Sequence, residues 1–200
     1  MQATYRVLTD ETNDDDLRRT AAALGWPLLD DTLSAHEGRL QWASHDGKCV
    51  LEYIRDPAIP LPYLRILGED VAQIAELARV ARLILERDEV IDRARAAVEP
   101  RAQARAILDA GIAAPRAFDQ RFFDIIMAGS RPPHRGVRKA AILAFSYTAW
   151  RELEPMLQAL ATSDPEPDVQ DLARLALEQA AQHGWVGKFE PPGDDFEDGG

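Results

Sequence analysis

A single cysteine among 200 residues excludes an intramolecular disulfide framework and a cysteine-rich zinc site, and it fits a reducing compartment. Positive charge is scarce as well. Against 34 acidic residues stand 23 lysines and arginines, for a formal net charge of −11, which disfavours generic binding to nucleic acid or anionic membrane. No apolar run reaches spanning length, and the opening MQATYRVLTDETNDDD is too polar and acidic for a signal peptide, so the expected location is the cytoplasm. The serines, four histidines and Cys49 form no GxSxG, HExxH, CxxC or phosphate-loop pattern. No catalytic residue, cofactor or metal is therefore expected, and the protein reads as a non-enzyme.

What is present is ordinary folded-protein composition, 46% hydrophobic and 28% charged, on a chain long enough to bury a core without disulfides. The first 86 residues read as a small α/β domain. Thr4 to Leu8 is short, β-branched and aromatic, and predicts a strand. Asp14 or Asp15 can cap the helix that follows, which buries Leu17, Ala21 and Leu24 and stops at Gly25. Trp26 to Leu29 reads as a connection. From Arg39 the apolar period becomes two: Leu40 and Trp42, a turn at His45-Asp46-Gly47-Lys48, then Cys49, Leu51 and Tyr53, which together predict a hairpin. Asp56 to Pro62 carries three prolines and must be a loop. Tyr63 to Leu67 predicts a further strand, and Glu69 to Glu86 a helix with Val71, Ile74, Leu77 and Ala78 on one face.

In its order alone this βαβββα series resembles the βαβββ unit of the vicinal oxygen chelate family. The resemblance implies a metal held by His and Glu side chains on particular strands. The first strand here offers neither, and the nearest candidates are His36, His45 and Glu52, which read as solvated loop histidines and a surface glutamate.

Beyond Glu86 the strand signals vanish and a long period appears. Val137, Ala141, Ala144 and Phe145 recur thirty-two residues later as Val169, Ala173, Ala176 and Leu177, and a weaker copy stands thirty-five residues earlier in Ala102, Ala106, Ile107, Leu108 and Ala110. Such a period marks stacked helix pairs. The expected helices are Asp88 to Val98, Arg101 to Ala110 closed by Gly111, Phe118 to Ala128, Val137 to Thr148, Trp150 to Ala161 and Val169 to Gln182.

Glu166-Pro167-Asp168-Val169-Gln170, leading into Ala173 and Ala176, is similar to the acidic, proline-containing turn and small-residue second helix of the HEAT-repeat family. Trp150 to Leu157, with Pro155 placed as at that family's kink in a first helix, resembles it too. The resemblance spans about residues 88–183 and implies an α-solenoid of three helix pairs. Gln170 stands where an arginine is usual, Arg138 lacks an acid in the turn before it, and Asp109 fills a normally small position. The family's aspartate–arginine ladder is therefore not expected, and apolar packing should join the pairs. The fold class expected overall is α+β: residues 1–86 a small α+β domain, 87–185 the helical repeats, 186–200 an acidic disordered tail. Val71, Ile74 and Leu77 could cover one end of the stack, and Trp185 and Phe189 could fold back over the other.

One dense positive patch remains: Arg131, His134, Arg135, Arg138 and Lys139, at the unfavourable end of a helix dipole. It could anchor an acidic partner surface or a phosphate, or its arginines could pair with neighbouring acids. Tyr147 is the one aromatic of its helix considered as an exposed contact. Asp14 to Asp16, Asp30 and Asp31 read as caps and turns. The function expected is a protein–protein interaction module, in one version an acidic inhibitor or immunity-type protein whose charge suits a basic partner. The alternatives are a small-molecule site in or beside the N-terminal domain, and nucleic-acid binding through the Arg131 to Lys139 patch, which the acidic total disfavours.

Overall fold

The computed structural model of this chain describes residues 2–59, 61–69, 71–148 and 150–183. The expectations for Trp185, Phe189 and the tail lie outside them. The fold is α+β: a five-stranded antiparallel sheet followed by helices.

β1 (Gln2–Val7) leads through α1 (Asp14–Ala23) to β2 (Leu28–Asp31), β3 (Gly38–Ala43), β4 (Cys49–Arg55) and β5 (Pro62–Gly68), in the spatial order β1-β5-β4-β3-β2. α1 thus carries the chain from one edge of the sheet to the other, and the last four strands form a meander. The helix is capped by Asn13 rather than by Asp14 or Asp15. Its side chain accepts from the amides of Asp15 and Asp16, and the Asp16 carboxylate accepts from the Asn13 amide in return. The β3–β4 turn closes where expected, with Gly47 at φ 71° and Asp46 Oδ1 accepting from the Lys48 amide.

Two elements differ from the reading of the sequence. β2 was expected as a connection, because Leu-Leu-Asp-Asp shows no alternation; it pairs with Leu40 to Trp42 across a bulge between Leu28 and Asp30, as an edge strand with Leu28 and Leu29 exposed. The helix expected to run to Glu86 is α2 (Val71–Val80). Arg82 then takes a positive φ of 54°, and the chain turns back so that Ile84 bridges Leu8 and Leu85 donates to the Val7 carbonyl.

The sheet's period of two sorts its side chains cleanly. Leu40, Trp42, Leu51, Tyr53, Leu64 and Ile66 pack on Leu17 and Ala21 of α1 and on Val71, Ile74 and Ala78 of α2. Val7 and Tyr63 on the opposite face, with the partly buried Tyr5 and Ile54, join the core of the helical half. Val71 and Ile74 therefore do not cover the helices, and Leu77 is 41% exposed; the strands themselves make that contact.

The helical half comprises α3 (Arg87–Ala96), α4 (Pro100–Ala113), α5 (Gln120–Gly129), α6 (Arg135–Thr148), α7 (Glu154–Ser163) and α8 (Pro167–His183). Neighbours in sequence touch as α3 with α4, α4 with α5, α5 with α6 and α7 with α8, while α3 also meets α5, α4 packs on α6, α6 on α8, and α4 on β1. Gly111 does not close its helix. It lies inside α4 where the backbone meets α6, and a Cβ there would stand 2.7 Å from the Cα of Ala144. Pro155 does not kink α7 but opens it, after a 3-10 turn over Arg151–Leu153, at a position where a proline's missing N–H has no helical acceptor to lose. No helix of the described residues is long and apolar enough to cross a membrane.

Candidate interaction surface

The positive patch begins where α5 ends. Ser130 caps that helix, its hydroxyl donating to the Met127 carbonyl at 2.8 Å, and the chain bends through Arg131, Pro132 and Pro133 before α6 starts. Arg131, His134 and Arg135 are exposed along this stretch. Arg138 is not: it is 5% exposed, and its guanidinium donates to both carboxylate oxygens of Asp164, at 2.6 and 2.8 Å, and to the carbonyls of Pro132 and Pro133 at 2.9 and 2.8 Å. Lys139 reaches Asp168 at 2.6 Å, and Arg135 stands 3.6 Å from the same carboxylate.

These contacts tie the turn before α6 to the turn before α8. Asp164 also accepts from the Glu166 amide at 3.0 Å, and Gln170, where an arginine was looked for, donates to the Asp164 carbonyl at 2.7 Å. The hydrogen bonds from Arg138 hold the Asp164 carboxyl below the usual range, and those from Lys139 do the same for Asp168. The expectation that the pairs are held mainly by apolar packing is thus amended by one charged tie between turns. The partner of Arg138 comes from the following turn, 26 residues onward, and not from the preceding one.

Tyr147, at the other end of α6, is 9% exposed. Its ring meets Tyr63 of β5 edge-on at 5.7 Å, Tyr63 meets Tyr5 of β1 at 6.2 Å, and the Tyr147 hydroxyl lies 3.3 Å from Asp56 Oδ2. Burial raises all three phenols, Tyr5 to about 12 and the other two further. The patch and Tyr147 therefore stand at opposite ends of one helix, and Tyr147 joins helix to sheet.

No family model, curated protein or solved structure matches this chain.

Two further polar groupings carry little sequence signal. Glu52, read as a surface glutamate, is fully buried; it pairs with Arg65 on the neighbouring strand, accepts from Gln41 at 3.2 Å and has Arg39 at 3.6 Å. Its position in a period-two strand, opposite Arg65, is the one clue the sequence holds. Asp109 on α4 is 3% exposed and receives Arg105 at 3.2 Å, while Arg105 and Arg93 both reach Asp10 in the β1–α1 loop, at 3.4 and 3.2 Å. Burial pushes the Asp109 carboxyl up to about 6. Among the described residues no group of three or more His, Cys, Asp or Glu side chains could hold a metal ion.

Between consecutive helix pairs two grooves open. One, of ≈ 390 Å³, is walled by Ala94, Ala97, Ile107, Ile125 and Ala128 with Arg95 and Arg121 at its rim. The other, of ≈ 570 Å³, is walled by Met127, Pro132, Pro155, Met156 and Leu160 with Arg131 beside it.

Proposed function

We propose that this chain is a non-enzymatic protein-binding module of the cytoplasm, in which three HEAT-like helix pairs hold another protein. The observation that carries the reading is the pair of apolar grooves between consecutive helix pairs, each with arginine at its edge. Apolar walls with a few charged groups around them are the usual anatomy of a docking site. The pairing of α3 with α4, α5 with α6 and α7 with α8, and the Arg138–Asp164 tie between turns, support the HEAT-like arrangement. Function inferred from fold alone is weak, so the grooves and not the pairing bear the argument.

The sheet bears on where a partner can sit. α4 packs on β1 and Tyr147 of α6 on Tyr63, so the flank formed by the second helices is partly taken by the chain's own N-terminal half. The grooves favour the side of α3, α5 and α7. Charge leaves the sign of the partner open. Residues 87–183 carry 14 acids against 13 lysines and arginines, so the net negative charge belongs to the rest of the chain and the helical half can face a partner of either sign.

The test is capture from the native lysate over a series of salt concentrations, with wild-type protein beside Ala128→Glu and Ala159→Glu. Both alanines are exposed and line the grooves, so the changes fill them without entering the core. The expected result is one protein retained by wild type and lost from at least one variant. Retention of no protein at any salt, or equal retention by all three, overturns the reading.

A further inference from the structure

The two grooves differ in the charge left over at their walls. In the groove beside α3, Arg121 pairs with Asp88 and Asp119, Arg95 with Asp92, and Asp124 accepts from Gln120. In the groove beside α7, Arg138 and Asp164 satisfy each other, but Arg131 is exposed on the wall and makes no ion pair among the described residues. Around the turns before α6 and α8 stand Arg131, Arg135, Arg138 and Lys139 against Asp164, Glu166 and Asp168. One cation is in surplus. Although the helical half is near neutral as a whole, this local balance favours an acid at the rim.

The rest of that groove is apolar and stiff. Its floor is Met156 and Leu160, 3% and 7% exposed, beside the half-buried Met127. Methionine adapts its shape to an incoming apolar group. Pro132, Pro133 and Pro155 on the walls have no N–H to offer, and the carbonyls of Pro132 and Pro133 already accept from Arg138. A strand laid along this wall would find no ladder to join, so side chains and not backbone must supply recognition. Glu154, which precedes Pro155 on the other wall, accepts from Gln158 and disfavours an acid at that end.

We propose that this groove takes a short linear segment of a partner protein, in which one large apolar side chain enters between Met127 and Met156 and a neighbouring carboxylate meets Arg131. It rests on the reading of the chain as a protein-binding module and names the class of partner. The apolar side chain supplies affinity, the carboxylate sets direction, and walls of fixed proline lose little freedom on binding.

Selection from a random dodecapeptide library with the full-length protein tests this, and should enrich peptides with a large apolar residue close to Asp or Glu. For the strongest of them, Arg131→Ala in the protein and the acid-to-amide change in the peptide should each weaken binding about tenfold, and both together little further, because they remove one contact. Ala159→Glu should abolish binding, while Ala128→Glu in the other groove leaves it within about twofold. Enrichment of basic or purely apolar peptides, additive losses, or loss with Ala128→Glu and not with Ala159→Glu overturns the proposal. So does a library that yields no peptide. Lysate capture then separates the two readings: a protein held by wild type and lost from Ala159→Glu keeps the module and discards this partner class, whereas no protein held discards both. Dimerisation that Ala159→Glu abolishes identifies a second copy as the occupant and also overturns it.

Discussion

Two aspartates of the helical half are equally hidden and oppositely poised. Asp164, in the turn before α8, is 6% exposed and its carboxyl is held low; Asp109, where α4 meets the sheet, is 3% exposed and its carboxyl is raised to about 6. Depth and donors together set the sign: Asp109 lies deep enough for loss of solvent to outweigh the single Nε of Arg105, whereas Asp164 lies in an outer turn where two N–H groups of one guanidinium and a backbone amide outweigh it. The inter-pair turn is thus a tie that needs its charges, and the junction holds a charge the fold would rather neutralise.

The sharpest way to break this contrast is to remove each arginine. Arg138→Ala leaves Asp164 buried without its main partner and should cost about 4 kcal/mol in urea unfolding. The double variant with Asp164→Ala should cost clearly less than the sum of the singles. Arg105 is 41% exposed, and Arg105→Ala should cost under about 1 kcal/mol. Equal losses at the two arginines would show that both pairs are ties.

Gly111 comes next in size. It stands two residues beyond Asp109 on α4, where the backbone touches Ala144 of α6, so α4 has α6 on one side and β1 on the other. Gly111→Ala should cost about 3 kcal/mol, because the new Cβ meets backbone that no rotamer change can move. A loss near zero would mean α4 can shift, and the junction would then be too loose to hold Asp109 away from water.

How far the sequence foretold these places follows from the range of the forces. The α+β class, the β3–β4 hairpin and six helices in the second half were legible, because period two, period 3.6 and Gly47 act within a few residues. β2 was not, since its pairing comes wholly from β3. The end of α2 was not, since Leu8, far away in the chain, draws Ile84 out of the helix. Gly111 read as a stop because its contact lies on another helix. In the patch, Arg138 read as one of five cations that could anchor a partner or pair with neighbouring acids; the acid it pairs with lies 26 residues on, and spacing within a turn cannot reveal which acid that is.

The raised Asp109 carboxyl makes a signed pH prediction. Its folded value of about 6 lies above the usual 3.8, so between those values the folded chain holds more protons than the unfolded one. Stability from this group is full at low pH and falls as pH rises from 3.8 through 6, by about 3 kcal/mol in all. Asp109→Asn removes the titration, and its stability relative to wild type should therefore climb by most of that amount between pH 4 and pH 7. Around Asp109 stand Arg105 on its own helix, Arg93 on α3 and Asp10 in the β1–α1 loop, and salt should flatten only their part of the effect. For Asp164 the sign reverses: its contribution is present above the ordinary aspartate range and is lost on acidification. Parallel pH profiles for wild type and Asp109→Asn would erase the contrast between the two sites.

Tyr147→Phe has a small expected effect and tests the aromatic side of the same junction. It deletes the 3.3 Å hydroxyl contact to Asp56 and keeps the edge-on packing on Tyr63. Asp56 still accepts the Ala58 amide at 2.8 Å, so its carboxylate is not stranded. The loss should be about 1 kcal/mol. Tyr147→Ala removes the ring as well and should cost roughly 3 kcal/mol or more. If the two variants lose the same amount, the hydrogen bond and not the ring joins α6 to the sheet, and this part of the junction would depend on its polar groups as the turn before α8 does.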